Sequence, residues 1–265
     1  MEKVEKVQIN QKTRGPAQAE CAMTGEEVLT CAINIGEQLL MSGAEISRVE
    51  DTIQRICDAY GILQSHIFSI ASCIIVTLET QDREWITQTR RNVSYGTDMW
   101  KLDRLNDLSR RICATRPSFD VIDQEYEKIL KGPTYSTAMQ CAVYAMTAGA
   151  FAIFFGGNLW DGIASLFVGA LIRVTLYAFA KVHMKAIFTN ILCSLISGMA
   201  CILMCRVGPG QHVEMIMIGN IMLLIPGVLM TNSFRDFISG DMISGLLHFS
   251  GAMITAVCVA VGFIF

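Results

Sequence analysis

In the second half of the chain apolar residues follow one another almost without interruption, in runs at 137–155, 159–180, 187–205, 213–230 and 242–265. Each run holds 18 to 24 residues. A helix rising about 1.5 Å per residue can cross a hydrocarbon layer about 30 Å thick with a run of that length. Backbone in lipid must satisfy its own hydrogen bonds, and neither the length nor the patterning suits barrel strands, so the runs predict five transmembrane helices.

Before residue 133 the pattern is that of a soluble α+β domain. Residues 1–24 read as a flexible tail, and the domain proper as 25–132. Val28, Ala32, Ile35 and Leu39 form a helical stripe opposite Glu27, Thr30, Asn34, Glu37 and Gln38, and Gly43 stops that helix. Ile46, Val49, Ile53, Ile56 and Tyr60 mark the buried side of a second helix that ends at Gly61. Ser47 and Glu50 have the spacing of a capping box at its start. Over 64–91 the composition turns β-branched and aromatic, and Ile74, Val76 and Leu78 alternate with Cys73, Ile75 and Thr77. This predicts two or three antiparallel strands, the Cys73–Leu78 strand covered on both faces. Helices are expected at 98–114 and 118–131, the latter opened by Pro117-Ser118 and closed by Gly132-Pro133. The fold class is therefore a helical polytopic membrane domain, 137–265, behind an N-terminal α+β domain.

Charge follows the same division. Of 24 acidic residues, all but Asp161, Glu214, Asp236 and Asp241 lie in the first 131 positions. Lys128, Lys131, Lys181, Lys185 and Arg235 flank the runs on one side and Arg206 flanks them on the other. The positive-inside rule then puts the N-terminal domain in the cytoplasm and the C-terminus outside. Residues 1–27 have no apolar core of the kind a signal peptide requires. A net charge of −3 without a basic cluster argues against nucleic acid as a partner. The ten cysteines are scattered, so free buried thiols are expected in place of disulfides or a metal site. No P-loop, dinucleotide turn or serine elbow occurs, and the histidines are far apart in sequence, so neither an enzyme nor a cofactor is expected.

Four phrases carry a resemblance: GAEISRVEDTIQRICDAYG at 43–61, TRRNVSYGTDMWKLDRLNDLSR at 89–110, GGNLWDGIASLFVGA at 156–170 and LIPGVLMTNSFRDFISGDMISG at 224–245. In this order, with this layout, they resemble the first, larger portion of the threonine/serine exporter family over about residues 25–260. The resemblance implies a bacterial inner-membrane secondary exporter of small hydrophilic metabolites, threonine and serine or dicarboxylates such as succinate. Some members continue into a second hydrophobic module and others place it on a separate small membrane protein. A chain ending at Phe265 is thus expected to work with such a second transmembrane subunit. Five spans are too few for the two repeats of common monomeric transporters, so homo-oligomerisation is a further expectation.

Polar residues within membrane spans are the default candidates for transport. Asn220, Pro226, Gly227, Thr231, Asn232, Arg235, Asp236 and Asp241 cluster around a proline that predicts a broken helix. Arg235 could pair with a substrate carboxylate, Thr231 and Asn232 could orient it, and Asp236 or Asp241 could take an ammonium or a coupling proton. The competing reading puts Arg235 and Asp236 in a solvated turn. Arg173, about two turns inside its span, either snorkels or pairs with an acid or substrate. Asp161 is a gate or proton-entry candidate, or else a helix-capping carboxylate. A membrane-anchored metabolite sensor is the alternative function, although an anchor has no need of Pro226-Gly227 or an Arg-Asp pair.

Overall fold

In the computed structural model, which describes residues 23–80, 82–92 and 96–264, the first helix α1 (Gly25–Met41) begins at Thr24. The Thr24 hydroxyl accepts the Glu27 amide, and the Glu27 carboxylate accepts the Thr24 amide at 2.7 Å. The expected tail falls outside the described residues except for its last two positions. The described residues form two compact units. One runs to Ala44 and resumes over Arg48–Lys131; the other comprises Glu45–Ser47 and the chain from Gly132 onward.

The first unit continues with α2 (Ile46–Ala59), the strands β1 (Gln64–Ile70), β2 (Cys73–Glu79) and β3 (Trp85–Arg91), and the helices α3 (Met99–Thr115) and α4 (Phe119–Leu130). The strands form one antiparallel meander in the order β1-β2-β3, with Val76 opposite Ile67 and Gln88. Ile74, Val76 and Leu78 are fully buried, whereas Cys73, Ile75 and Thr77 are half-buried, so β2 is covered on one face only. The polar side of α1 is not simply solvated. Thr30 accepts a hydrogen bond from Gln88, Asn34 accepts one from Arg90, and Glu37 lies 3.8 Å from the Arg90 guanidinium. The capping box expected at Ser47 is absent, because α2 begins one residue earlier at Ile46 and Ser47 is exposed within its first turn. Glu50 instead accepts the Ser69 amide at 2.8 Å. Burial pushes the Cys31 and Cys57 thiols up to about 12, keeping both protonated.

The second unit is helical: α5 (Thr137–Phe154), α6 (Leu159–Lys181), α7 (Ala186–Arg206), α8 (Val213–Ile221), α9 (Gly227–Ser239) and α10 (Met242–Ile264). Among the described residues four of these are long and apolar enough to cross a membrane, namely α5, α6, α7 and α10. The run expected as a single span at 213–230 is instead two short helices, α8 and α9. The physical reason is Pro226, which has no amide to donate to the preceding turn.

Small residues set the helix spacing. A Cβ on Gly219 of α8 would lie 2.7 Å from the Ala152 backbone nitrogen of α5, and one on Gly262 of α10 would lie 2.5 Å from the Ile191 carbonyl of α7. Only glycine permits such approach. Val168 and Ile172 of α6, Cys193 and Cys201 of α7 and Ile216 of α8 close the core between these helices. α8 packs on α5, α6 and α7, whereas α9 packs on α10.

Candidate functional site

The interruption between α8 and α9 is built from five residues. After Ile221 the chain turns through Met222–Ile225, with the Leu224 and Ile225 amides both donating to the Ile221 carbonyl. Pro226 then serves as the N-cap of α9, with φ −79° and ψ 60°, outside helical geometry. The positive end of the α9 dipole therefore starts at Gly227, beside the break. Thr231, Asn232, Arg235 and Asp236 all lie on α9 and not in a turn after it.

The buried side of α9 is polar. Ser233 and Asp236, one turn apart, face α10, where Ser244 and His248, also one turn apart, are buried. Asp236 is 2% exposed and His248 7%. The Asp236 Oδ2 lies 2.8 Å from the His248 Nδ1, an imidazole-carboxylate pair joining the two helices. The turn between them closes through Gly240 in the left-handed region at φ +92°, and the Asp241 amide donates to the Asp236 carbonyl at 2.9 Å. Burial, and then the charge of Asp236, raise the Asp241 carboxyl above its ordinary range. A Cβ on Gly245 would meet the Phe237 ring at 2.6 Å, so glycine there lets α9 and α10 close on the pair.

The remaining α9 candidates look elsewhere. The Thr231 hydroxyl donates to the Gly227 carbonyl at 3.0 Å, Asn232 is half-buried, and the exposed Arg235 guanidinium pairs with Glu45. Asn220 is fully buried on α8, one turn from Ile216, whose carbonyl its amide reaches at 2.8 Å. Among the described residues its Oδ1 has no hydrogen-bond partner, and neither do the buried hydroxyls of Ser165 on α6, Ser197 on α7 and Ser233. The sequence cluster thus divides in two: Asn220 within α5–α8, and Asp236 between α9 and α10.

Asp161, fully buried, stands at the third position of α6 and caps the helix start reciprocally with the N-cap residue Asn158. Its carboxylate accepts the backbone amides of Asn158 (3.0 Å), Gln211 (2.7 Å) and His212 (2.9 Å), and lies 2.8 Å from the His212 Nδ1. The hydrogen bond to Asp161, and then its charge, raise the exposed His212 imidazole above its ordinary range. The arrangement clamps the start of α6 to the segment entering α8. Among the described residues the partners of Arg173, on α6, are Gln140 and Tyr144 of α5. Its guanidinium donates to the Gln140 Oε1 and lies 5.9 Å over the Tyr144 ring, lining a cavity of about 640 Å³ with Tyr135, Met139 and Val143.

Comparison with known proteins supplies the biological frame. The family model described as "Putative threonine/serine exporter" matches residues 30–265. The chain is 23% identical over 229 residues to the "Threonine/serine exporter" of Corynebacterium glutamicum, covering 84% of this chain and 47% of that protein. It is 22% identical over 242 residues to the "Probable threonine/serine exporter" of Mycobacterium tuberculosis, covering 89% and 45%. It therefore spans about half the length of these two relatives. With the "Probable succinate transporter subunit YjjP" of Klebsiella aerogenes it shares 26% identity over 231 residues, covering 84% of this chain and 86% of that one. No solved structure matches the chain.

Proposed function

The chain belongs to the threonine/serine exporter family, a family of transporters and not of enzymes, and on that premise we propose that it is one subunit of a secondary exporter of small hydrophilic metabolites. The observation that carries the proposal is the interrupted helix, with buried polar groups on either side: Asn220 before the break, Asp236 with His248 after it. Interrupted helices present a positive helix end and free carbonyls to solutes, which uninterrupted anchors do not. The substrate class is a small carboxylate-bearing metabolite, a threonine/serine-type amino acid or a dicarboxylate such as succinate, in keeping with the names of the relatives.

In this reading the membrane domain crosses five times. α8 and α9, with 9 and 13 residues, supply the fifth crossing jointly, since they total about 33 Å of helix. The distribution of basic residues supports a cytoplasmic N-terminal α+β domain and a C-terminus outside, and the bacterial relatives support the inner membrane as its location. The near-complete overlap with a relative named as a subunit supports a second small transmembrane subunit as partner, and the small number of crossings supports self-association. The proton gradient drives export. Reporter fusions at both ends test the orientation.

The test of function is efflux of labelled threonine, serine and succinate from cells expressing the chain with and without the second subunit, before and after the proton gradient is collapsed. Gradient-dependent efflux in the co-expressing cells is the expected result. No efflux of any of the three, with both proteins in the membrane, would count against the exporter and for a sensor.

A further inference from the structure

We propose that Asp236 and His248 together are the proton-binding site of the exporter, taking up a proton in exchange for the expelled solute; this rests on the exporter reading above. Both residues are nearly inaccessible, at 2% and 7%, and their ring nitrogen and carboxylate oxygen are 2.8 Å apart. Two packed helices can be held together without any charge. Burying an ionised carboxylate among apolar helices is costly unless a partner offsets it. A titratable pair in such a seam is therefore an expensive way to make a structural contact and a direct way to hold a proton.

The chemistry balances simply. With a neutral imidazole the pair carries one negative charge. A proton from water on one side of the membrane forms an N–H bond on the imidazole and leaves a neutral imidazolium-carboxylate pair, and breaking that N–H bond returns the proton to water on the other side. Imidazole is the side chain that ordinarily exchanges protons near neutral pH. On α9 the neighbouring charge is Arg235, paired with Glu45, and Asp241 sits in the connecting turn. α10 carries no acidic or basic side chain besides His248, only the thiol of Cys258, and α7, which packs on α10, offers the thiols Cys193, Cys201 and Cys205, with Arg206 at its C-terminal end. Because α9 starts at the break, with open space around Gly227, it can move as a short rigid piece. Proton uptake then changes the cost of keeping Asp236 against α10, which links the charge of the pair to the position of α9.

The experiment separates proton coupling from translocation. Membrane vesicles carrying the full transporter are loaded with labelled threonine, serine or succinate. Exchange against the same unlabelled solute without a gradient is then compared with uphill transport driven by a proton gradient. In His248→Gln and Asp236→Asn, uphill transport is expected to be lost whereas exchange remains measurable. Uphill transport at the unsubstituted level in either variant would overturn the proposal. So would the loss of exchange together with uphill transport in both variants when they are present in the membrane in normal amounts. Absence of exchange in the unsubstituted protein is a different result: it removes the exporter reading, and the proposal with it.

Discussion

Among the described residues Asp161 and Asp236 are the two buried carboxylates, and each lies 2.8 Å from an imidazole Nδ1. The resemblance ends at the surroundings. Asp161 also accepts three backbone amides, and its histidine, His212, has a side chain 52% exposed. Around Asp236 the histidine itself is buried, in a seam shared with Ser233 and Ser244. A carboxylate already held by amides is a structural clamp to which the imidazole adds little. Where two buried titratable groups face each other, the charge state of the pair becomes the variable. Distance alone does not distinguish the two; burial of the histidine and the number of amide donors do.

The largest effect is expected from Asp161→Ala. Three backbone amides lose their acceptor, and each buried donor left unsatisfied costs about 1–3 kcal/mol. Thermal unfolding in detergent should show a loss of roughly 3 kcal/mol or more, with transport falling only as folded protein falls. A stable Asp161→Ala variant would undo the distinction from that side. Next comes Gly245→Leu, whose side chain must displace the Phe237 ring. Overpacking of this kind costs about 1–3 kcal/mol, and by parting α9 from α10 it should abolish uphill transport while sparing exchange.

A smaller, pH-dependent effect belongs to His212. Its imidazole is raised in the folded protein by Asp161, so the protonated form is favoured by folding. The stabilisation is fully present below the ordinary imidazole range and disappears as pH rises through the raised folded value. The difference in Tm between the unsubstituted protein and His212→Gln should therefore be widest near pH 5 and narrow as pH rises through the raised folded value. A difference that widens with pH would show that the neutral ring is the important one. Smallest is Arg173→Gln, which loses the two half-buried N–H donors shared by one neutral acceptor, the Gln140 Oε1, together worth about 1 kcal/mol. A Tm shift larger than that of Gly245→Leu would give the Arg173 cavity a weight this account does not.

What the sequence discloses follows from how local each signal is. The long helices α5, α6, α7 and α10 are written in uninterrupted apolar runs, and the break is written in Pro226, so both can be read one window at a time. The seam at Asp236 is different. His248 looks unremarkable when histidines are compared with each other, because its partner is an aspartate 12 residues earlier. A sequence signal does exist: Asp236 and His248 flank Gly240-Asp241, and two helices folded back at that turn bring residues on either side of it together. The clamp gives no such signal, since Asp161 and Gln211 are 50 positions apart and nothing local to either predicts the contact. Ser47 shows the opposite failure. Its spacing to Glu50 fits a capping box, yet Ile46, fully buried, draws the helix start one residue earlier and frees Glu50 for the Ser69 amide.

The most direct test runs His212→Gln and His248→Gln beside the unsubstituted protein in one vesicle preparation, measuring solute exchange and proton-driven uphill transport in each. His212→Gln should keep both activities, and His248→Gln should keep exchange alone. Identical behaviour of the two variants, in either direction, would contradict this.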